Sequence, residues 1–214
     1  MKDIKTILFD IDGTILDTTE FIIQAAERSL AANGYPARTR AEIASHVGES
    51  FDDFYGALAD TRQRESLDAL QKTHRDFQKA NFHLSKLYPE ARETLQELHR
   101  RGYKMGAVTS RSKITSLQTL GDAGIADFFG AVISAEDSSD VKPSPIPLLK
   151  ALTALQSDPA EAAMVGDSHF DIAAGKAAGL KTVRATYGFH VNYLHEPEPD
   201  YFVDGIGKLL ELFD

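Results

Sequence analysis

Two aspartates separated by one residue, Asp10 and Asp12, follow the apolar run of residues 4–9 and precede Gly13. A carboxylate at this place could attack phosphorus and form an acyl-phosphate, which would split a hydrolysis into two easier steps. A second acid could protonate the leaving oxygen and later activate water, and Gly13 would let the chain turn so that Asp12 folds back over the site. Acidic residues also favour ordinary turns at strand ends, so this pair alone leaves both interpretations open.

Hydroxyls and basic side chains further along the chain could bind a phosphate group. The apolar run that begins at Lys104 ends in Thr109-Ser110-Arg111, where hydroxyls and the following backbone N–H could hold phosphate oxygens at a helix start. Arg111 is a substrate-binding candidate, although an exposed arginine at a helix start is the more ordinary interpretation. Lys142 is followed by two nearby prolines that stiffen its backbone. Its charge could neutralise both a nucleophile and a transferred phosphoryl group, although a lone lysine more commonly lies in solvent.

A further acidic group, with the sequence GDSHFD, follows the apolar run of residues 162–165. Asp167 could bind Mg²⁺, which prefers oxygen ligands. Asp171 lies one helical turn later and could orient those ligands, although a helix cap explains it equally well in isolation. His169 could contact a substrate, whereas His195 is expected in a solvated loop.

Charge and composition restrict the chemistry. The 214 residues carry a formal net charge of −9 and include no cysteine. The charge opposes binding to nucleic acid, and the lack of cysteine excludes disulfides, thiolate zinc sites and a cysteine nucleophile. An acidic protein can bind phosphate only where local positive charge is supplied. Asp10 and Asp167 offer the oxygen ligands that a hard divalent cation requires, so we predict that Mg²⁺ and Lys142 provide that charge.

The distribution of apolar residues along the sequence sets the expected compartment. The N-terminal residues lack the long apolar stretch of a signal peptide. No window has the apolar length of a membrane span. We therefore expect a cytoplasmic protein with no membrane association.

Bringing the four motifs together requires strands that end at one edge of a sheet. Apolar runs alternate with helical patterns, which predicts an α/β fold with a doubly wound, Rossmann-like parallel sheet. Such sheets bind ligands at the carboxyl ends of their strands, so the motifs should converge there. The predicted strands are residues 4–9, 104–109, 131–134, 162–165, 181–185 and, more weakly, 201–203. The predicted helices are residues 89–102, 112–122, 147–155 and 170–178.

A long segment after the first strand interrupts this alternation and contains no convincing strand. Asp17 with Glu20, and Thr39 with Glu42, have the spacing of capping boxes that open helices. Helical spacing of apolar residues over 67–77 predicts a third helix. The predicted domains are a discontinuous α/β core of residues 1–16 and 86–214 and an inserted α-helical cap of residues 17–85.

Taken together, the four motifs resemble those of the haloacid dehalogenase superfamily, and the resemblance covers essentially the whole chain. It implies that Asp10 is the nucleophile and Asp12 the general acid and base. The pair Thr109-Ser110 resembles the second motif, Lys142 in VKPSP the third, and GDSHFD the fourth. Residues 17–85 resemble the helical cap of the phosphoglycolate-phosphatase-like branch.

The same resemblance implies a magnesium site. Its ligands would be Asp10, the backbone carbonyl of Asp12, and Asp167. Asp171 and Thr14 are expected beside these ligands, where they would support them without binding the metal directly.

Three other activities of the superfamily fit the residues less well. Dehalogenases lack an acid at the place of Asp12, because the expulsion of halide needs no protonation. Enzymes of the β-phosphoglucomutase type have a histidine five residues after the aspartate of a DT pair, where this chain has Ile22. A phosphonatase would need a lysine in the cap for a Schiff base, and none occurs between Lys5 and Lys72.

The remaining phosphatases include two close groups, which hydrolyse 2-phosphoglycolate or inorganic pyrophosphate. We expect a Mg²⁺-dependent phosphatase acting on a small phosphomonoester, with pyrophosphatase as the alternative. Gly48 and Glu49 lie in the segment HVGESF, which resembles the cap loop of both groups and is also compatible with a plain helix–helix turn. A phosphoryl-transferring mutase and a non-catalytic module that binds a phosphorylated ligand stay open. The expected partners are a small phosphorylated metabolite or pyrophosphate, with no nucleic acid, and the expected state is a monomer or homodimer.

Overall fold

The computed structural model describes residue 1 and residues 3–189 and 197–214. His195 therefore lies outside the described residues. Within them, the strands in chain order are β1 (Thr6–Phe9), β2 (Leu16–Asp17), β3 (Lys86–Leu87), β4 (Lys104–Val108), β5 (Ala131–Ile133), β6 (Ala162–Gly166), β7 (Lys181–Ala185) and β8 (Tyr201–Val203). The α-helices are α1 (Thr19–Ala32), α2 (Arg40–Ser45), α3 (Phe51–Ala59), α4 (Arg64–Ala80), α5 (Ala91–Arg100), α6 (Lys113–Asp122), α7 (Ile146–Leu155), α8 (His169–Ala177) and α9 (Leu209–Leu212).

Six of these strands form a parallel sheet in the order β5-β4-β1-β6-β7-β8, and β2 pairs with β3 separately. The prediction of a doubly wound parallel sheet is confirmed. The register sets Phe9 opposite both Ala107 and Val165. The residues that follow β1, β4 and β6 therefore leave the sheet at the same edge.

Alternating side chains of the central strand β1 pack on opposite faces of the sheet, as a strand covered on both sides requires. Ile7 and Phe9 belong to one apolar cluster, which also includes Leu95 and Leu98 of α5. Leu8 belongs to the other, together with residues of α7 and α8. Full burial of each such side chain stabilises the fold by about 1.5–3 kcal/mol, so β1 is held firmly on both sides.

Contacts between Cα atoms divide the chain into two compact units, one formed by Met1–Asp17 with Leu87–Asp214 and the other by Thr18–Lys86. All residues of the second unit are described, and its regular elements beyond the boundary strand residue Lys86 are helical. It contains four α-helices where the sequence predicted three. The missed helix, α3, begins after Ser50, whose side chain caps it by accepting from the N–H of Asp53.

The two predicted capping boxes in this segment differ in outcome. Thr39 and Glu42 form theirs at the start of α2. The box predicted for Asp17 and Glu20 is wrong, because Asp17 is extended in β2 and the N-cap residue of α1 is Thr18, whose side chain makes no capping hydrogen bond.

A helix that crosses a bilayer needs about 20 predominantly apolar residues. None of the helices in residues 3–189 and 197–214 is both long and apolar enough to cross a bilayer.

Candidate active site

Three polar residues leave the sheet together at the carboxyl ends of its central strands. Asp10 directly follows β1, and its N–H donates to the carbonyl oxygen of Val165 at 2.9 Å. Thr109 directly follows β4, and its N–H donates to the carbonyl oxygen of Ile133 at 2.9 Å. Asp167 directly follows β6. The sheet hydrogen bonds thus extend one residue past β1 and one residue past β4. They fix the backbone at Asp10 and Thr109.

Lys142 crosses from the loop between β5 and α7 into this edge of the sheet. Its Nζ lies 2.6 Å from Asp10 Oδ1 and 2.6 Å from Asp171 Oδ1, and it donates to the carbonyl oxygen of Val108 at 3.0 Å. Only 5% of the residue is exposed. The alternative of a solvent-exposed lysine is therefore wrong for Lys142.

Asp171 has two structural connections, one from each carboxylate oxygen. Oδ1 accepts from Lys142, while Oδ2 accepts from the hydroxyl of Ser168 at 2.6 Å and from its N–H at 3.1 Å. Ser168 and Asp171 form a capping box at the start of α8. The helix-cap and orienting interpretations of Asp171 therefore both describe its contacts.

Asp167 is held by a segment that follows β7. Its Oδ2 accepts from the backbone N–H of Phe189 at 2.7 Å. Gly13 approaches the same carboxylate so closely that a Cβ built on it would lie 2.4 Å from Asp167 Oδ2, and its φ of +78° lies in the left-handed region. Both observations show why glycine follows Asp12 in the sequence.

Three buried carboxylates meet at this edge, and their charges do not balance. One oxygen each of Asp10, Asp167 and Asp171 lies within 4.8 Å of the others. When all four side chains, including Lys142, are ionised, they carry three negative charges and one positive charge. The pKa of Asp10 is raised to about 7, mainly because burial disfavours the charged form; Lys142 opposes the shift, and Asp171 and Asp12 add to it.

This cluster fits a divalent cation on chemical grounds. Its donors are carboxylate oxygens, which hard cations prefer. In the fully ionised form, the four side chains have an excess of two negative charges, which a divalent cation would balance. For Lys142, burial lowers the pKa, but Asp10 and Asp171 outweigh that effect and raise the pKa above its usual value. Lys142 is therefore an ammonium at neutral pH and supplies fixed positive charge beside the metal candidates.

Asp12 is paired with Arg111. Arg111 Nε lies 2.6 Å from Asp12 Oδ2, and Arg111 Nη2 lies 2.6 Å from Asp12 Oδ1. The side chains are only 7% and 12% exposed. The preferred interpretation of Arg111 as an exposed residue at a helix start is wrong, because its guanidinium turns inward onto Asp12.

Three other residues that the sequence singled out belong to the first unit, as the aspartates and Lys142 do. Ser110 lines one small cavity with Thr109 and Lys142. Thr14 is buried, and its carbonyl oxygen accepts from the hydroxyl of Tyr187 at 2.8 Å. His169 is half-buried at the start of α8, and its ring packs against that of the neighbouring Phe170 at an interplanar angle of 39°.

Gly48 and Glu49 belong to the second unit, so only their contacts within that unit are described. Gly48 has a φ of +100°, and Glu49 Oε1 lies 3.0 Å from His46 Nδ1. Their binding of substrate stays a prediction.

Sequence reasoning missed the segment after β7. Tyr187 and Phe189 contact Thr14 and Asp167 through the bonds described above, and a Cβ on Gly188 would lie 2.3 Å from the carbonyl oxygen of Gly13. The available signal was its place directly after a predicted parallel strand, where ligand sites occur.

Comparison with known proteins identifies the family of this chain. Residues 7–185 match the sequence model of the haloacid dehalogenase-like hydrolase family. A phosphoglycolate phosphatase of Vibrio vulnificus is 36% identical over 220 residues, covering 99% of this chain and 96% of the relative. The pyrophosphatase PpaX of Bacillus cereus is 35% identical over 211 residues, covering 98% of this chain and 96% of the relative.

A solved structure adds evidence on the fold alone. The crystal structure of a predicted phosphoglycolate phosphatase from Haemophilus somnus has a TM-score of 0.92 and 24% sequence identity, with 99% of each chain covered. The resemblance inferred from the four motifs is confirmed by these matches. Because the family match spans most of the sequence, and relatives above 30% identity span nearly all of it, this chain belongs to the haloacid dehalogenase-like hydrolase family.

Proposed function

We propose that this protein is a Mg²⁺-dependent phosphatase that hydrolyses a small phosphomonoester through an aspartyl-phosphate on Asp10. The observation that supports this most directly is the buried cluster of Asp10, Asp167 and Asp171 around the ammonium of Lys142. A nucleophilic carboxylate, an oxygen-only cation site and a fixed positive charge thus lie together at one edge of the sheet. Such a group suits phosphoryl transfer, in which catalysis is mostly positioning and charge stabilisation.

In the proposed first step, an oxygen of Asp10 attacks phosphorus and the bond from phosphorus to the leaving oxygen breaks. Asp12 donates its proton to that oxygen, so the product leaves with a hydroxyl group and not as an alkoxide. Lys142 and Thr109 stabilise the non-bridging oxygens of the transferred group while charge develops on them.

In the proposed second step, water attacks phosphorus of the aspartyl-phosphate. Asp12 takes a proton from that water, the bond between phosphorus and the Asp10 oxygen breaks, and inorganic phosphate is released with Asp10 regenerated as a carboxylate. In the second step, Asp12 thus regains the proton that it donates in the first.

The metal would be held by Asp10, the backbone carbonyl of Asp12, and Asp167. When bound, Mg²⁺ supplies positive charge that offsets the phosphate oxygens and favours the ionised form of the nucleophile. Asp171 and Thr14 support this group from outside, Asp171 through its bonds to Lys142 and Ser168.

The choice of substrate is assigned to the helical segment of residues 17–85, with Gly48 and Glu49 as candidate binding residues and with Ser110 as a candidate in the core unit. A relative named as a phosphoglycolate phosphatase favours a phosphomonoester. An inorganic pyrophosphatase is the second candidate, because a relative named as the pyrophosphatase PpaX is almost equally similar.

A phosphate-release screen tests this function. Wild-type protein with Mg²⁺ is assayed on 2-phosphoglycolate, other small phosphoesters and pyrophosphate, with EDTA as the metal-free comparison. We expect turnover of at least one compound, abolished by EDTA and by Asp10→Asn, while the circular dichroism of Asp10→Asn stays native. Near-normal turnover by Asp10→Asn would refute the nucleophile. Isomerisation of a sugar phosphate without phosphate release would indicate a mutase, and binding without turnover a non-catalytic module.

A further inference from the structure

Arg111 holds both carboxylate oxygens of Asp12 at once. The two contacts, Nε to Oδ2 and Nη2 to Oδ1, are 2.6 Å each. A bidentate pair of this kind fixes the plane and direction of the carboxylate as well as its distance. Because both side chains are almost completely buried, bulk water cannot readily replace these bonds.

The guanidinium is itself fixed from its other edge. Arg111 Nη1 donates to Thr119 Oγ1 at 2.8 Å, and the Thr119 hydroxyl donates onward to the carbonyl oxygen of Thr115 at 2.6 Å. That outward donation turns the lone pairs of Thr119 Oγ1 toward Arg111. The backbone N–H of Arg111 also donates to Thr109 Oγ1 at 3.2 Å. Arg111 is thus anchored to α6 and to the second motif while it holds the first.

We propose that Arg111 is a positioning residue that sets the orientation of Asp12 for proton transfer, rather than a residue that grips the substrate phosphate. This inference rests on the proposed function. Three of the five N–H donors of the guanidinium already bond within the protein. To reach the leaving oxygen, Asp12 needs to release one of its two bonds to Arg111. The other bond then acts as a pivot that keeps the acid aimed at the substrate.

A role in positioning Asp12 and a role in binding the substrate phosphate predict that kcat/KM depends differently on the leaving group. The value of kcat/KM reports steps up to the first irreversible one, which is transfer of the phosphoryl group to Asp10. A nitrophenolate leaves without much help from an acid, whereas an alkoxide needs protonation as it departs. Loss of a residue that positions Asp12 should therefore lower kcat/KM for alkyl phosphates selectively. Loss of a cation that binds the phosphate should lower kcat/KM for all substrates alike.

The experiment compares Arg111→Met with wild type on 4-nitrophenyl phosphate and on an alkyl phosphate that the wild type hydrolyses, both with saturating Mg²⁺. We expect kcat/KM for the alkyl phosphate to fall about 10-fold further than that for 4-nitrophenyl phosphate. Arg111→Lys should recover little, since an ammonium cannot form the bidentate pair. In both variants, 4-nitrophenol should appear as a burst in stopped-flow traces, because the water step on Asp10 also depends on Asp12.

The matched control is Lys113→Met, which removes a nearby cation that pairs with Asp137 at 2.8 Å. The ratio of the two kcat/KM values should stay at its wild-type level in this control. Equal losses on both substrates with a raised KM in Arg111→Met would assign Arg111 to substrate binding and overturn the inference. Unchanged kinetics in Arg111→Met would overturn it as well.

A cycle of thermal unfolding measurements tests the pairing without any turnover. Arg111→Met, Asp12→Asn and the double variant are compared with wild type. We expect the double variant to melt no lower than the less stable single variant, because the second change removes a partner that is already unpaired. Fully additive losses in Tm would overturn the pairing. Absence of phosphate release by the wild type on every substrate would instead overturn the proposed function.

Discussion

The aspartates of the site are oriented by several kinds of donor. Asp12 bonds to a guanidinium, Asp167 to a backbone N–H, and Asp171 to a hydroxyl and an ammonium. Asp10 shares that ammonium with Asp171. These separate constraints hold side chains of like charge close together, which is costly in a buried place unless partners and hydrogen bonds compensate.

Asp137 is another carboxylate that is held by charged and hydrogen-bonding partners, and it lies outside the site. Its contribution to stability can be tested by varying pH. Its pKa is lowered to about 2, first by its bond to Lys113 and then by its bonds to Ser134. Because the pKa in the folded protein lies below that of the unfolded chain, the charged carboxylate stabilises the fold above about pH 4, and this contribution is lost as pH falls toward 2.

Asp137→Asn is therefore expected to lower the free energy of unfolding by about 1–2 kcal/mol at pH 6. The difference from wild type should shrink steadily between pH 4 and pH 2.5, as measured by urea unfolding. Asp140→Asn, which changes an exposed acid of the same loop, is the control and should match wild type throughout. A deficit that does not vary with pH would show that the charge of Asp137 is not what stabilises the loop.

At the scale of elements, the segment that follows β7 is as much a part of the site as the four motifs. Gly188 packs where a Cβ would lie 2.3 Å from the carbonyl oxygen of Gly13 and 2.4 Å from Asp167 Cβ. Real Cβ atoms do not approach so closely, so any other residue would displace this segment. The bond from the Phe189 N–H to Asp167 would be displaced with it.

Gly188→Ala should consequently weaken Mg²⁺ binding and cost about 1–3 kcal/mol of stability through overpacking. The measurement is the rise in Tm on addition of Mg²⁺, which reports affinity without turnover. We expect this rise to be reduced in Gly188→Ala and nearly absent in Asp167→Asn. Gly205→Ala is the matched control, because a Cβ there has nothing within 4 Å and the backbone is extended. An unchanged Mg²⁺ response in Gly188→Ala would contradict the role given to this segment.

At the scale of the whole molecule, a net charge of −9 opposes the approach of an anionic substrate. Within the site, the ammonium of Lys142 supplies local positive charge, and the buried carboxylates offer a candidate site for a divalent cation. Such a local field acts over short distances, while the net charge acts over longer ones that salt screens.

The kcat/KM for an anionic phosphoester should therefore rise about two-fold when ionic strength increases from 10 to 150 mM, because salt screens long-range repulsion. The measurement needs a fixed concentration of free Mg²⁺, so that metal loading stays constant. A fall in kcat/KM with salt would show that the positive field of the site extends into solvent and outweighs the net charge.

Much of the fold was predictable because it depends on local patterns. The strands at residues 181–185 and 201–203 were predicted with the bounds that the structure shows, and the parallel sheet follows from their alternation with helices. Helix α3 was missed, since it is a short helix rich in aromatic residues with weak helical propensity. Its Tyr55 is fully buried and bonds to His74 of α4 at 2.6 Å, so packing within the second unit stabilises it.

The sequence by itself determined which side chains can do chemistry and that they follow parallel strands, because strand ends and turn residues are read from neighbours along the chain. Only the tertiary structure decided which of these side chains touch. Asp12 and Arg111 are 99 positions apart and Asp10 and Lys142 are 132 apart. The inward turn of Arg111 and the support of Asp167 by Phe189 depend on how α6 and the segment after β7 pack against the sheet. Local sequence carries no record of such distant contacts.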